Sequence, residues 1–435
     1  MRSCDVSTWR SGGNDDLSEL RRALLDARER RQADIARARR AGRTVISLSV
    51  NMPGADKCRP GVRSLARLAG EALARDAGAE VVVERADALG PWAIAVSALS
   101  PRAAKDVSVA IEAALPAGRL VDLDVHDAAG RQVDRASIGL APRPCLICDR
   151  PAVECMRLER HPVGAAREAA DRLLLRVLAS LLLHGARTEL DLTPKPGLVD
   201  RLDNGSHPDL SFDAMSRSID LLALYLDDLL ALGEPPDLDA AVAAGIRAER
   251  RMIEAIGSNT HKGYIYLAGL ALLAAREAAD PAALRAGIAS IARRLLDVGR
   301  PGPGTPASPT HGADARASHG VGGIVGEALL GLPSVFERGL PALGMDVDRS
   351  AGGHRLMAVL MQSVEDTTAI HRGGLSALAR LRADGAELQR RIDARDDWRP
   401  WLAALNDDYR RLNLTMGGVA DCMALCFALH EWFGL

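Results

Sequence analysis

The sequence predicts a multi-domain protein: a mixed α/β (α+β) domain over residues 1–163, then an all-α helical domain over residues 164–435. Two patterns predict this. Alternating, β-branched stretches are confined to the first third of the chain, and after about His161 they give way to long Leu/Ala-rich segments with helical spacing. The 435 residues fit two or three domains at about 150 residues each. With 48% apolar but only 3% aromatic residues, the cores must be built from Leu, Ala, Val and Ile.

Residues 17–40 are rich in Ala and Arg, with Leu20, Leu24 and Leu25 at helical spacing, and read as a surface helix. Thr44–Val50 (TVISLSV) reads as a strand that Asn51-Met-Pro-Gly ends, and 80–84 and 92–98 read as two more. Pro101–Ala114 is a helix opened by proline and followed by Gly118. Residues 119–126 (RLVDLDVH) alternate again, Asp127-Ala-Ala-Gly130 turns the chain, and 131–138 is the second arm of a hairpin. Helices are then expected at 167–184, 212–232, 237–256, 263–278, Pro281–Val298, 352–364, 379–393 and 421–433. The Gly/Pro-rich stretch 300–309 is read as a loop inside the helical domain.

Composition excludes some functions. A net charge of −2 argues against nucleic-acid binding by bulk electrostatics. The polar first 16 residues lack a secretory h-region, and the longest uncharged apolar stretch, 263–275, falls short of the roughly 20 residues that span a bilayer. No membrane and a cytoplasmic location are therefore expected. Seven cysteines, an odd number, fit reduced thiols or a metal site better than disulfides. Of 55 basic residues only Lys57, Lys105, Lys195 and Lys262 are lysines, and three of these sit in Gly/Pro-punctuated loops. A compact ammonium kept against such an arginine bias points to chemistry, with chance as the alternative.

In the first domain, Asp122 and Asp124 lie two apart on a strand and project from one face. Paired carboxylates that hold Mg²⁺ suit nucleotidyl transfer; a solvated strand face is the alternative. Lys57, after the Asn51-Met-Pro-Gly turn, is placed to meet a phosphate. Cys145-x2-Cys148-x6-Cys155-x5-His161 is compatible with a structural Zn²⁺ site, against the alternative of three buried thiols and a surface histidine. Three segments in order, NMPGADK, VAIEAALPAGRLVDLDVHDAAGRQVDR and RPCLICDRPAVECMRLERH, resemble the citrate lyase holo-acyl-carrier-protein synthase family over about residues 17–163. The resemblance implies a nucleotidyltransferase that moves phosphoribosyl-dephospho-coenzyme A from its triphosphate donor to a serine of the lyase's acyl carrier (gamma) subunit, releasing pyrophosphate. It implies roles for Lys57, Lys105, Asp122 and Asp124; the zinc expectation rests on spacing alone.

The second domain sets polar, glycine-containing loops between apolar helices. The first, from Thr193 to Asp209, carries Lys195, Asp200, Arg201, Asp203 and His207. The second is Gly257-Ser-Asn259-Thr260-His261-Lys262-Gly263. Asn259 or Thr260 is expected to cap the next helix, whose free N–H groups, with Lys262 beside them, would cradle a triphosphate. Glu249, upstream, either points into that space or is an ordinary surface carboxylate. The third loop holds His311, His319 and Gly320-Val-Gly322-Gly323-Ile-Val325-Gly326-Glu327. It misses the dinucleotide G-x-G-x-x-G spacing and follows no strand, so a Rossmann reading is rejected. The fourth is Asp366-Thr367-Thr368 with His371-Arg372-Gly373-Gly374, and Thr415-Met-Gly417-Gly418-Val419-Ala-Asp421 opens the last helix.

This ordered set, above all KPGLVDR…GSH and NTHKG, resembles the triphosphoribosyl-dephospho-coenzyme A synthase family over about residues 167–435. The resemblance implies ATP and 3′-dephospho-coenzyme A as small-molecule substrates. The 2′-hydroxyl of the latter attacks the anomeric carbon of the ATP ribose, and adenine leaves. Lys195, Arg201, His207, Asn259, His261, Lys262 and Arg372 are candidates for the phosphates. Asp203 and Glu249 are candidates for catalysis, and Glu327 and Asp366 for Mg²⁺. The family carries Arg, Asn and Ser where this chain has Val325, Thr368 and Val419. Two alternatives follow: the same chemistry serving malonate decarboxylase, or a non-catalytic nucleotide- and carrier-binding protein with a decayed second domain. Against both, the two halves resemble consecutive steps of one pathway.

Overall fold

The computed structural model describes residues 14–39, 43–298, 320–345 and 349–435. Cys4, the loop 300–309, His311 and His319 lie outside the described residues. The chain divides into two compact units, residues 1–177 and 178–433.

The first unit runs α1 (Asn14–Ala38), β1 (Thr44–Val50), α2 (Val62–Ala77), β2 (Glu80–Asp87), β3 (Gly90–Ser97), α3 (Pro101–Ala114), β4 (Val121–His126), β5 (Gln132–Val133) and α4 (Ala152–Arg157). Its sheet is antiparallel throughout, in the order β2-β3-β1-β4-β5. Strand alternation sorts the side chains. Ile46, Leu48 and Val50 of β1 and Val121, Leu123 and Val125 of β4 are buried on one face. On the other, Val45, Trp92, Ile94 and Val96 pack against Ile35 of α1. Register places Ser47 opposite Asp124 and Ser49 opposite Asp122 on this second face.

Two expectations for this unit are revised. α2 was not expected, yet Val62, Leu65, Ala69 and Leu73 form its buried stripe, and Gly78 closes it in a left-handed conformation. Its interleaved arginines hid the stripe. The expected hairpin arm at 131–138 shrinks to Gln132–Val133 followed by a 3₁₀ turn, Ala136–Ile138. There the Asp134 carboxylate accepts the Ser137 N–H at 2.8 Å and turns the chain away from the sheet.

The helix α5 (Val163–Asp191) starts where sequence placed the domain change and runs past the division between units. After it the second unit is helical: α6 (Phe212–Leu230), α7 (Leu238–Ile256), α8 (Lys262–Ala274), α9 (Pro281–Val298), then Gly323–Leu329, Leu340–Leu343, Arg349–Ser363, Thr367–Asp393, Arg399–Arg411 and a closing helix, Gly417–Phe433. The apolar α8 and closing helix supply much of the core, including Leu267, Leu270, Cys422, Met423 and Leu425. Helix Thr367–Asp393 begins 12 residues before its expected start and is broken at Gly373 and Gly374, where the backbone is not helical. That break is why only its second half read as a helix. Arg399–Arg411 was not expected; Leu402, Leu405 and Tyr409 give it its buried stripe. Among the described residues no helix is long and apolar enough to cross a membrane.

Candidate functional site

In the first unit the site grows from the outer edge of β4. The strand β5 pairs only with Val125 and His126, so among the described residues the edge around Leu123 has no strand partner. Charged side chains take its place. Leu123 donates its N–H to Glu112 Oε1 at 2.9 Å, and its carbonyl accepts from Lys105 Nζ at 2.9 Å. The Val121 carbonyl accepts from Arg143 Nη1 at 2.7 Å. Arg143 also pairs with Glu112 and, at 3.3 Å, with Asp122. Asp122 accepts from Asn51 Nδ2 at 3.2 Å, and Asp124 from Gln132 Nε2 at 2.6 Å. Burial, then the Asp122 charge, pushes the Asp124 carboxyl up to about 6. Burial likewise raises Glu112, against the pull of Arg143.

The two lysines expected here are placed differently. Lys105 is buried beneath the sheet and reaches the Leu123 backbone, not the carboxylates. Lys57 donates to the Met52 carbonyl, and burial lowers its pKa. Arg143, Glu112, Asn51 and Gln132 were missed. Arg143, just before the first cysteine of RPCLIC, was the one with a visible signal.

The four candidate zinc ligands do meet. The ligand atoms of Cys145, Cys148, Cys155 and His161 all lie within 4.8 Å of one another. Cys148 Sγ is 3.6 Å from Cys155 Sγ and 3.3 Å from His161 Nε2.

In the second unit, the charged side chains of the first loop are tied up by partners within it and on neighbouring helices. Lys195 is 1% exposed and its ammonium meets the Glu189 carboxylate and carbonyl, each at 2.6 Å. Burial raises the Glu189 carboxyl, against the opposing pull of Lys195. The Lys195 N–H donates to Asp200 Oδ2 at 2.9 Å. Asp203 accepts from the Gly205 N–H at 2.6 Å and from Asn406 Nδ2 at 2.8 Å. Arg201 is exposed, paired with Asp191 at 2.6 Å over the Phe212 ring.

The second loop corrects an expectation. The N-cap of α8 is His261, with no side-chain cap bond. Asn259 and Thr260 are used elsewhere: Asn259 Nδ2 donates to Glu249 Oε2 at 2.9 Å, and Thr260 Oγ1 donates to Ser218 Oγ at 2.6 Å. Lys262 Nζ lies 3.4 Å from the same Glu249 oxygen. Glu249 thus faces the loop. His261 is buried against Ser218, and burial, then the Lys195 charge, lowers it to about 4. A Cβ at Gly263 would fall 2.0 Å from Asp421 Oδ2, so glycine lets the start of α8 lie against the closing helix.

Loops four and five join the first. Arg372 Nη1 donates to the Ser206 carbonyl at 2.7 Å and to Asn413 Oδ1 at 2.7 Å, and Nη2 lies 3.4 Å from His207 Nδ1. A guanidinium can only donate, so Nδ1 accepts and His207 carries its proton on Nε2, 3.0 Å from Thr415 Oγ1. Burial, then Arg372, lowers His207 to about 4 and keeps it neutral. The fully buried Asp366 caps its helix, accepting from Thr368 and Ala369 N–H at 2.9 and 3.0 Å, and its other oxygen accepts from Val419 N–H at 3.0 Å. Both its oxygens are therefore engaged. Burial, then the Asp366 and Glu189 charges, holds Asp421 well above the usual carboxylate range. Glu327 accepts from Ser334 N–H and Oγ at 3.1 and 2.7 Å. Glu189, Ser218 and Asn413 were not among the expected residues; they sit inside helices or next to a cap, where nothing local marks them.

Compared with known proteins, residues 175–433 match the family model for ATP:dephospho-CoA triphosphoribosyl transferase, and residues 20–177 match that for apo-citrate lyase phosphoribosyl-dephospho-CoA transferase. The chain belongs to these two families in tandem. A probable 2-(5''-triphosphoribosyl)-3'-dephosphocoenzyme-A synthase of Streptococcus equi subsp. zooepidemicus is 32% identical, over 57% of this chain and 94% of its own length. Protein CitXG of Leuconostoc mesenteroides subsp. cremoris is 26% identical over 90% of this chain and 92% of its own length. Protein CitXG of Haemophilus influenzae is 28% identical over 77% and 78%. The chain is therefore a bifunctional transferase: an ATP:dephospho-CoA triphosphoribosyl transferase joined to an apo-citrate lyase phosphoribosyl-dephospho-CoA transferase, with ATP and dephospho-CoA as substrates.

Proposed function

We propose that residues 1–163 carry the transfer step at Asp122 and Asp124, and residues 164–435 the synthase step at the loops around Lys262 and Arg372. The observation that carries the first assignment is the Asp122–Asp124 pair. Two carboxylates share one strand face, and the Asp122 charge adds to the cost of ionising the buried Asp124. A divalent cation relieves that cost, so the donor set fits Mg²⁺. When bound there, Mg²⁺ would offset charge on the donor's phosphates and on the leaving pyrophosphate. Arg143 orients Asp122 and adds positive charge beside it, and Gln132 orients Asp124. The acceptor is a serine of the citrate lyase gamma carrier subunit, and the enzyme works in the cytoplasm. The thiol–imidazole cluster touches no reacting atom and serves as a structural metal centre.

In the synthase half, Lys262 and Arg372 bind the triphosphate, and the exposed Arg201 meets its solvent side. Glu249, oriented by Asn259 and Lys262, takes the proton of the attacking 2′-hydroxyl. Neutral His207 and His261 donate or accept without adding charge. Lys195, Asp203 and Asp366 act through the backbone segments they hold, as positioning residues.

Adenine release from ATP and Mg²⁺ should require 3′-dephospho-CoA, and adding the apo-carrier should then give a mass gain equal to the prosthetic group. Asp122→Asn should abolish the mass gain and spare adenine release; Glu249→Gln should abolish adenine release and spare the mass gain when ready-made donor is supplied. Either variant acting on the wrong step would overturn its assignment. Modification of a malonate decarboxylase carrier in preference to the citrate lyase one would overturn the choice of client.

A further inference from the structure

We infer that Cys145, Cys148, Cys155 and His161 hold one Zn²⁺ ion, and that this ion braces Arg143 against Glu112 and Asp122. The second part rests on the reading of Asp122 and Asp124 as the transfer site. Tetrahedral zinc with Zn–S bonds of about 2.3 Å sets its sulfurs roughly 3.8 Å apart. The Cys148–Cys155 separation of 3.6 Å and the Cys148–His161 separation of 3.3 Å already suit that geometry.

The segment has little else to hold it. Four of its five larger apolar side chains face solvent: Ile147, Val153, Met156 and Leu158 are exposed, Val153 and Met156 by 64% and 71%, and Leu146 is half-buried. Cys155 is its one buried apolar side chain. A piece this small without a core folds only around a cross-link or a metal. Cys145, Cys148 and Cys155 are all free thiols.

The fold of the segment points its base at the transfer site. Ala152 N–H donates to the Arg143 carbonyl at 2.8 Å and Cys145 N–H to the Arg150 carbonyl at 2.7 Å, with Pro144 and Pro151 bridged between them. This two-stranded neck leads up to Cys145 and Cys148. At its foot Arg143 reaches the Val121 carbonyl, Glu112 and Asp122, and Arg119 holds the Pro144 carbonyl. With the ligands released, the neck opens and Arg143 loses its anchor. Zinc thus acts on transfer through position, without touching a reacting atom, and the synthase half does not depend on it.

The test uses the purified full chain. Atomic emission should find one zinc per chain, and Cys148→Ser should lose it. Co²⁺ in its place should give thiolate-to-cobalt absorption with tetrahedral d–d bands. A zinc-selective chelator, with Mg²⁺ in excess, should cut carrier modification about 100-fold, as a displacement near 1 Å does, and leave adenine release unchanged; Zn²⁺ should restore the loss. Arg143→Met should keep its zinc yet show the same fall in kcat with little change in donor KM, and Arg143→Lys should recover part of it. A chain that binds no zinc refutes the site. A zinc-free chain that transfers at full rate, or one that loses both activities together, refutes the brace. An Asp122→Asn variant that still transfers would instead remove the reading on which the brace rests, leaving the zinc content to be judged alone.

Discussion

Replacing Lys195 with methionine separates two roles for a lysine that the sequence alone could not tell apart. In the structure the ammonium is 1% exposed and its partner Glu189 side chain 7% exposed, with both contacts at 2.6 Å. Lys195→Met leaves the Glu189 carboxylate buried with no counter-charge. Breaking such a pair from one side costs about 3–5 kcal/mol. In a unit of this size, where each kcal/mol moves the midpoint by roughly 2–4 °C, the synthase unit should melt about 6–20 °C lower. Differential scanning calorimetry of the full chain reads this directly. Adding Glu189→Gln should recover more than half of the loss, because no charge then needs pairing. If instead Lys195→Met melts within about 1 °C of the wild type while ATP binding falls more than tenfold, the ion pair is not what the lysine is for. The ammonium then leaves Glu189 to bind phosphate, and the structural argument is wrong.

Two further outcomes follow from the titrating groups. Protonated Asp124 cannot share a cation with Asp122, so the rate of transfer from ready-made donor should rise as pH climbs through about 6. Raising Mg²⁺ should move that limb to lower pH, since the cation favours the ionised form; initial rates from about pH 5 to 8 check this, and a flat profile counts against it. In the synthase half, Arg372→Met removes the charge that, after burial, holds His207 down near 4. Its NMR titration should move up toward the ordinary histidine value while burial keeps it below; no movement would mean that the 3.4 Å contact with Arg372 is not made in solution.

How much of this was legible in the sequence depended on whether the signal was local. The change from strands to helices was, because side-chain period is a property of short windows. The Cys/His cluster was too: three close cysteines and a histidine constrain one another along the chain. The caps were not. Thr260 is a good capping residue, but it turns to Ser218, 42 residues earlier, and nothing near Thr260 foretells that. The scarcity of lysine drew attention to Lys195, but its partner Glu189 is one more carboxylate in a long helix, and only the end of α5 brings them together. Arg143 was passed over because arginine is everywhere in this sequence. Its importance comes from the neck beneath the cysteines, which exists only in three dimensions.

The unfinished edge of β4 has a bearing on how this protein behaves in bulk. An unpaired strand normally invites another copy to zip onto it. Here the vacancy is plugged by Glu112, Lys105 and Arg143, so ionic groups set where the sheet stops. Such a plug has a weak point, because burial makes the Glu112 carboxylate take up a proton more readily than an exposed one as the solution is acidified. Neutralised, it lets go of the guanidinium that covers the neighbouring carbonyl. Mild acid should therefore turn a terminated sheet into a sticky one, and precipitation rather than unfolding is the way this enzyme would be lost.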